Sequence, residues 1–447
     1  MKRSCELILV LGVLALAGGM FADWAAPRII GPGKSISVYP VNSDSVLVFW
    51  GEDSLYRTTY SSGIWSEPVV MFDCNSYMIF SRTEAIEDSR GRLWVFGISG
   101  AGTEYYIDDP EDFPIRDGPD LFPMLAPDTS GNIYYLQKYY YWFEFGKSIN
   151  DTIWSRNYPY LPGYPEKFYN CIYFNSNNTG LDFIWWIKDS SDHLVDTAAI
   201  IHSAINYDSP ESTWLIFDTL AIFNNKVPLD AVPVTDGWII ALSEEFPFTF
   251  DSVDLHYYCS HITDDTITTE VLDSGSFWGH TSTYPQIKLA VNALGTDVSC
   301  IWKSPNAHVR DTFDGDFNTY SDIDYSNWTF SDGWNEPISL TSYNSIRFLT
   351  STGTRNRMYG KPLVIDDDGN SWVCWYEWSI FTGSWCYLTH ENPVSVTEKS
   401  LAIPNTFTIS AYPNPFNSTV TITATAGAEI EVFDVNGRRV GRIPPAT

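Results

Sequence analysis

From Asp23 to Thr397 the hydrophobic positions come in short runs of aromatic and β-branched residues, separated by Gly, Asp, Asn and Pro, with no sustained helical period. Runs of that kind predict strands, so the body is expected to be all-β. Val46-Leu-Val-Phe-Trp50, Phe183-Ile-Trp-Trp-Ile187 and Trp238-Ile-Ile-Ala-Leu242 are apolar at every position. Successive strand residues point to opposite faces, so each such run predicts a strand covered on both sides.

One punctuation recurs. Asp88-Ser-Arg-Gly91-Arg-Leu-Trp94, Asp128-Thr-Ser-Gly131-Asn-Ile-Tyr134 and Asp366-Asp-Asp-Gly369-Asn-Ser-Trp372 share one form, and Asn292-Ala-Leu-Gly295-Thr-Asp-Val298 is a weaker copy. In such a turn the Asp or Asn side chain accepts hydrogen bonds from turn amides, while Gly adopts a left-handed conformation without steric cost. These acids read as corners of the fold and not as catalysts. Looser turns precede the three apolar runs above, which brings the candidate units to seven. A second element repeats: Gly63-Ile-Trp-Ser-Glu-Pro-Val-Val70 and Gly333-Trp-Asn-Glu-Pro-Ile-Ser339 share Trp-x-Glu-Pro after a turn. Proline cannot donate to a sheet ladder and belongs at an edge.

A turn, an apolar strand, a hairpin and a Pro-bearing edge strand make one four-stranded propeller blade. The expected fold is therefore a β-propeller of six or seven blades. Its inner strands would be the continuous apolar runs, and Ile29 to Val38 would close the ring by adding a strand to the last blade. These motifs resemble those of sialidase-like propellers, in which Trp-Ser-x-Pro strand ends are frequent. A jelly roll or several sandwiches is the architectural alternative.

The two ends carry addresses. Met1 to Ala22 opens with Lys2 and Arg3, runs apolar from Leu7 to Ala17 and closes in small residues. It reads as a secretory signal, with an apolar run too short to span a bilayer. No other stretch is long and apolar enough to be a transmembrane segment. At the far end, Tyr412-Pro413-Asn414-Pro415-Phe416-Asn417 precedes an alternating strand from Val420 to Ala424. Glu429 to Val435 follows, and Asn436-Gly437 supplies a tight hairpin turn into Arg438-Arg439-Val440. These two motifs at this spacing resemble the C-terminal sorting domain of the bacterial type IX secretion system. The resemblance implies handling by that machinery and delivery, through the periplasm, to the cell surface or the medium. Members of that family usually continue for a few more strands, so this copy, ending at Ile443-Pro-Pro-Ala-Thr447, is expected to be incomplete. The chain then divides into residues 1–22 as leader, 23–397 as propeller and 401–447 as sorting domain.

Composition narrows the chemistry. With 26 basic and 55 acidic residues the formal charge is −29, which excludes a nucleic-acid binder held by phosphate contacts. Six cysteines remain after the leader, without metal-type spacing. Cys374 and Cys386 are the expected disulfide if a hairpin near Ile380 places them on facing strands, against two thiols packed as small hydrophobes. His256 and His261, five apart on a strand, project to opposite faces and form no zinc pattern.

The most acidic cluster, Asp311, Asp314 and Asp316 continuing through Asp322 and Asp324, reads as a solvated loop. Its first three acids are the candidate calcium ligands, and no other cofactor is expected. A sialidase-like glycoside hydrolase is the enzymatic alternative. That resemblance implies three convergent arginines, a tyrosine assisted by a glutamate, and an aspartic acid; Arg90 and Arg92, lying in a turn, read as solvated. No complete family motif is present, so a non-catalytic module binding an extracellular glycan or protein is the leading expectation. Tyr141, Trp142 and Trp378, from the aromatic clusters, are its candidate ligand-stacking residues. Trp185-Trp186 is a further aromatic pair of which at least half is expected to be core.

Overall fold

The computed structural model describes residues 24–33, 35–42, 45–51, 54–73, 82–99, 102–107, 116–117, 124–139, 142–149, 153–157, 168–176, 180–188, 197–206, 214–249, 252–278, 285–305, 322–341, 346–349, 361–379, 383–391, 409–412, 421–424, 430–433 and 439–443. The chain divides into two compact units, Met1–Pro393 and Val394–Thr447.

Among the described residues the first unit holds seven antiparallel sheets. The first comprises Ser35–Asn42, Ser45–Gly51, Ser54–Ser61 and a broken outer strand, Ile64–Trp65 and Val69–Asp73. The second runs through Arg82–Glu87, Leu93–Ser99, Gly102–Ile107 and Arg116–Asp117; the third through Met124–Pro127, Ile133–Tyr139, Trp142–Ile149 and Ile153–Asn157. The fourth comprises Phe168–Ser176, Gly180–Lys188, Thr197–Asn206 and Trp214–Asn224; the fifth, Val227–Val234, Gly237–Thr249, Ser252–Thr263 and Ile267–Trp278. The sixth comprises Ile287–Val291, Asp297–Lys303, Ile323–Thr329 and another broken outer strand, Gly333–Trp334 and Ile338–Ser339. In the seventh, Ile346–Phe348 and Leu363–Ile365 both pair with Ser371–Ser379, followed by Gly383–His390 and, outermost, Arg28–Pro32 from the start of the chain.

Packing closes these sheets into a ring. Seven clusters of buried hydrophobics lie one at each junction between successive sheets, the last joining the seventh sheet to the first through Val364, Cys374 and Leu388 against Ile36, Val46 and Trp50. The fold is thus an all-β propeller, and its seven sheets coincide with the seven turn-and-run units of the sequence. The apolar runs are not the innermost strands, however; they are the second strand of each sheet. That position is sandwiched between neighbouring sheets, so both faces are covered. Trp185 packs toward the third sheet and Trp186 toward the fifth, both buried. Both are core, where at least half of the pair was expected to be. Trp50, Trp94, Trp302 and Trp375 occupy the same second-strand layer in other sheets and are likewise fully buried. A tryptophan removes about 150–250 Å² from water, worth about 4–6 kcal/mol at ~25 cal/mol/Å².

Ring closure also differs in detail from the sequence reading. Ile29 to Val38 is split: Arg28–Pro32 adds to the last sheet, and after Gly33 the chain enters the innermost strand of the first. Closing the ring with the chain start covers what would otherwise be an unpaired edge at Gly383–His390.

The recurring turns behave as corners. Asp88, Asp128 and Asp366 are buried, and the Oδ1 of each accepts from the amides two and four residues on, at 2.8–3.1 Å. Trp94 and Trp372 donate their indole N–H to Oδ2 of Asp88 and Asp366, at 2.9 and 3.0 Å. Gly91, Gly131, Gly295 and Gly369 have φ between 71° and 85°, where a side chain is strained. Arg90 and Arg92 are not simply solvated. Arg90 donates to the carbonyl of Ser130 at 2.9 Å, and Arg92 to Asp88 and to the carbonyl of Gly131, tying the second sheet's turn to the third's.

In the Trp-x-Glu-Pro elements the proline sits in the break of each outer strand, as its missing N–H requires. A buried hydroxyl caps each break: Thr58 donates to the carbonyl of Ser66 at 2.9 Å and Ser326 to that of Asn335 at 2.7 Å.

The expected Cys374–Cys386 disulfide is absent. Cys171, Cys259, Cys300, Cys374 and Cys386 are buried and stand outside any disulfide. In the hairpin Cys374 faces Leu388 and Cys386 faces Tyr376, so the two cysteines are diagonal neighbours. Diagonal positions lie roughly 7–8 Å apart, beyond the ~4 Å between Cβ atoms that a disulfide demands.

In the second unit Ile409–Tyr412 pairs with Thr421–Ala424 and Ile430–Phe433 with Arg439–Ile443, both antiparallel. The Asn436-Gly437 turn falls between the latter strands, outside the described residues, as do Pro413 to Asn417, Arg438 and the leader.

Candidate functional site

The innermost strands of all seven sheets surround an axial channel of about 540 Å³. Alternation along these short strands turns some residues toward the axis and others toward the next sheet, so the channel wall mixes apolar and polar groups. Its polar residues include Tyr39, Glu84, Glu87, Tyr173, Asn175, Asp230, Lys288 and Lys361.

Several of these groups are committed to the scaffold. The Tyr39 hydroxyl donates to Glu87 across the junction of the first and second sheets. Burial, and then the Glu87 carboxylate, push the Tyr39 phenol well above its ordinary range. Asp230, buried in the fifth sheet, accepts from the Leu289 amide at 2.8 Å and from Lys288 Nζ at 3.1 Å, both in the sixth. Burial pushes its carboxyl upward, and the Lys288 charge opposes that shift. Burial also pushes the Tyr173 phenol up to about 12. The Lys361 backbone amide donates to Ser37 Oγ at 3.2 Å, and its ammonium donates to the carbonyl of Ala85 at 3.5 Å.

A second polar group lies where the sixth and seventh sheets end on the opposite rim from the Asp turns. Arg347, 4% exposed, donates to Asp322 at 3.1 Å and to Glu377 at 2.7 Å. Asp322 also accepts from Thr341, and Asp324 from Ser339 at 2.6 Å. These two acids were expected in a solvated loop and are instead buried. Burial raises both, Asp324 to about 6. Lys303, 4% exposed, stands 4.8 Å over the Phe348 ring, and desolvation lowers its ammonium to about 8. The sequence signal for this group was weak because its members lie as far as 74 positions apart, from Lys303 to Glu377.

The sequence-derived candidates fare unevenly. Asp311, Asp314 and Asp316 lie outside the described residues, as does Tyr141. Trp142 and Trp378 are strand residues, at the start of Trp142–Ile149 and near the end of Ser371–Ser379. Among the described residues no group of three or more acidic, His or Cys side chains is placed to hold a metal. His256 and His261 share one strand but not a partner, the former meeting Tyr258 at 3.2 Å and the latter Asp236 at 2.9 Å. Of the arginines, Arg82 and Arg347 are on innermost strands, whereas Arg28, Arg57, Arg116 and Arg156 are on third or fourth strands.

The fold therefore defines the class, a β-propeller with a lined axial channel. Among solved structures the chain is similar to a lectin of Aleuria aurantia at 7% identity, covering 72% of this chain and 98% of that one, with a TM-score of 0.35. An α-L-arabinanase of Penicillium chrysogenum gives 8% identity, coverage of 82% and 98%, and a TM-score of 0.38. The NanB sialidase of Streptococcus pneumoniae gives 12% identity, coverage of 82% and 68%, and a TM-score of 0.34. No curated protein sequence matches the chain. Residues 410–444 match the family described as the secretion system C-terminal sorting domain. The tail is thus a sorting domain that marks the protein for export by type IX secretion to the cell surface or beyond. Among the described residues no helix is long and apolar enough to cross a membrane.

Proposed function

We propose that the protein is an exported β-propeller that passes through the periplasm and then binds an extracellular glycan or protein without transforming it. The commitment of two of the channel's acids, Glu87 and Asp230, to the scaffold carries this reading. Glu87 is held by Tyr39, and Asp230 by Lys288 and the Leu289 amide. A hydrolase would need carboxyl groups placed to exchange protons with a substrate. The scattering of the described arginines over several sheets, with Arg82 and Arg347 on innermost strands and Arg28, Arg57, Arg116 and Arg156 on third or fourth strands, supports the same side.

One observation favours the second reading, a sialidase-like hydrolase: Tyr39 and Glu87 form a hydrogen-bonded tyrosine–glutamate pair in the channel wall. The test is to assay the secreted chain on a glycan array and, in parallel, for turnover of aryl sialosides and arabinans. Saturable binding without turnover is expected. Turnover abolished by Tyr39→Phe or Glu87→Gln would overturn the binding reading in favour of the hydrolase.

A further inference from the structure

Apart from the channel, the fifth and sixth sheets leave a second pocket of about 300 Å³ on the rim that carries the Asp turns. Trp328, Phe330 and Trp334 of the sixth sheet and its following turn form one side; His261, Thr263 and Glu270 of the fifth, with Asp236 of its first turn, form the other. Trp328 is buried and meets the exposed Phe330 edge-on, with ring centroids 6.3 Å apart, while Trp334 is half-buried. His261 is anchored to Asp236 at 2.9 Å and stands edge-on to Trp328. Glu270 is exposed, and its carboxylate has no hydrogen-bond partner among the described residues.

The corner between the seventh and first sheets is built from similar parts and shows what is special here. Tyr60 and Trp65 are paired as Trp328 and Trp334 are, and His390 comes from the preceding sheet. There, however, Trp372 lies 4.2 Å from His390 and 5.3 Å from Tyr60, between ring centroids, and fills the space, and Arg28 stands over Trp65. In the pocket between the fifth and sixth sheets no indole plays that part, and the space stays open.

Flat aromatic walls with a few convergent acceptors and hydroxyls suit a ring that is apolar on its faces and hydroxylated at its edge. Two carboxylates, Asp236 and Glu270, in a chain of net charge −29 disfavour an anionic guest. We propose that this pocket binds a neutral pyranose ring, stacked on Trp334 with its hydroxyls donated to Glu270 and Asp236. The proposal rests on the binding-module reading and gives it a ligand class and a place.

The test titrates the full chain with methyl glucopyranoside, methyl galactopyranoside, methyl mannopyranoside and, as the anionic arm, a methyl sialoside, following tryptophan fluorescence and saturation-transfer NMR. At least one neutral glycoside is expected to bind at millimolar concentration, with the sialoside weaker. Trp334→Ala is expected to weaken binding at least about tenfold. Glu270→Gln, an exposed change that leaves the fold intact, should weaken it about threefold or more. Binding that survives both substitutions would overturn the pocket while leaving the binding module standing. Preference for the sialoside, or no neutral glycoside bound by a chain that still captures larger glycans, would also overturn it; turnover would instead defeat the module reading.

Discussion

Replacing Asp366 by alanine separates the two jobs its carboxylate performs. Oδ1 accepts from the amides of Asp368 and Asn370 in an exposed turn, and Oδ2 accepts from the indole of the buried Trp372. Once the carboxylate is gone, water can reach the turn amides, so their loss resembles that of a helix cap, about 0.5–2 kcal/mol. Water cannot easily reach an indole N–H on a side chain 3% exposed, and an orphaned buried donor costs about 1–3 kcal/mol. Asp366→Ala is thus expected to destabilise by about 2–5 kcal/mol, a large part of the ~5–15 kcal/mol typical of a folded domain. Asp128 makes the same amide bonds, but Tyr134 stands where the indole would be, so Asp128→Ala should cost only the first portion. Urea unfolding followed by fluorescence and calorimetry measures both. A cycle with Trp372→Phe should show coupling of about 1–3 kcal/mol between residues 366 and 372. Equal losses for the two alanine variants, together with no coupling, would refute the division of labour.

Other outcomes follow from the same geometry. Lys303 has its ammonium lowered by burial to about 8, so between pH 8 and about 10 the unfolded chain binds the extra proton and stability rises with pH by up to about 3 kcal/mol. Lys303→Met should remove that rise and raise the melting temperature at pH 7; an unchanged pH profile counts against a desolvated ammonium. Asp324, raised to about 6 by burial, acts in the opposite sense, its contribution being fully present below about pH 4 and lost as pH climbs through 6. The stability of Asp324→Asn relative to the parent should therefore increase across that window, and a flat difference would refute the assignment. A Cβ on Gly31 would lie 2.4 Å from Trp50 Nε1, so Gly31→Ala should loosen the closing strand at a cost of about 1–3 kcal/mol, read by thermal melting. Cys171, Cys259, Cys300, Cys374 and Cys386 should resist thiol reagents in the native protein and react in denaturant, with a melting temperature indifferent to reductant; protection that persists in denaturant until reductant is added would reveal a disulfide.

Much of the architecture was legible along the chain because its signals are local. Asp-x-x-Gly turns, apolar runs and a proline in an outer strand each depend on a few adjacent residues, and together they implied seven units. The sorting tail was legible for the same reason, since Tyr412 to Asn417 and Val432 to Val440 are short motifs. The facing of Cys374 was not. Whether it meets Cys386 or Leu388 depends on a hairpin register that spacing alone leaves open by a residue or two.

The candidate site was the least legible part. Tyr39 and Glu87 are 48 positions apart, Asp230 and Leu289 are 59 apart, and each pair meets only because neighbouring sheets pack side by side. Likewise Asp322 and Asp324 read as loop acids until Arg347, Thr341 and Ser339 are brought against them. By itself the sequence determined the strands, their corners and the destination of the protein, since turn chemistry and targeting motifs act over a few residues. Tertiary structure alone decided where the closing strand ends, the buried charges and the channel and rim pocket, because those arise where distant strands share a junction and exclude water between them.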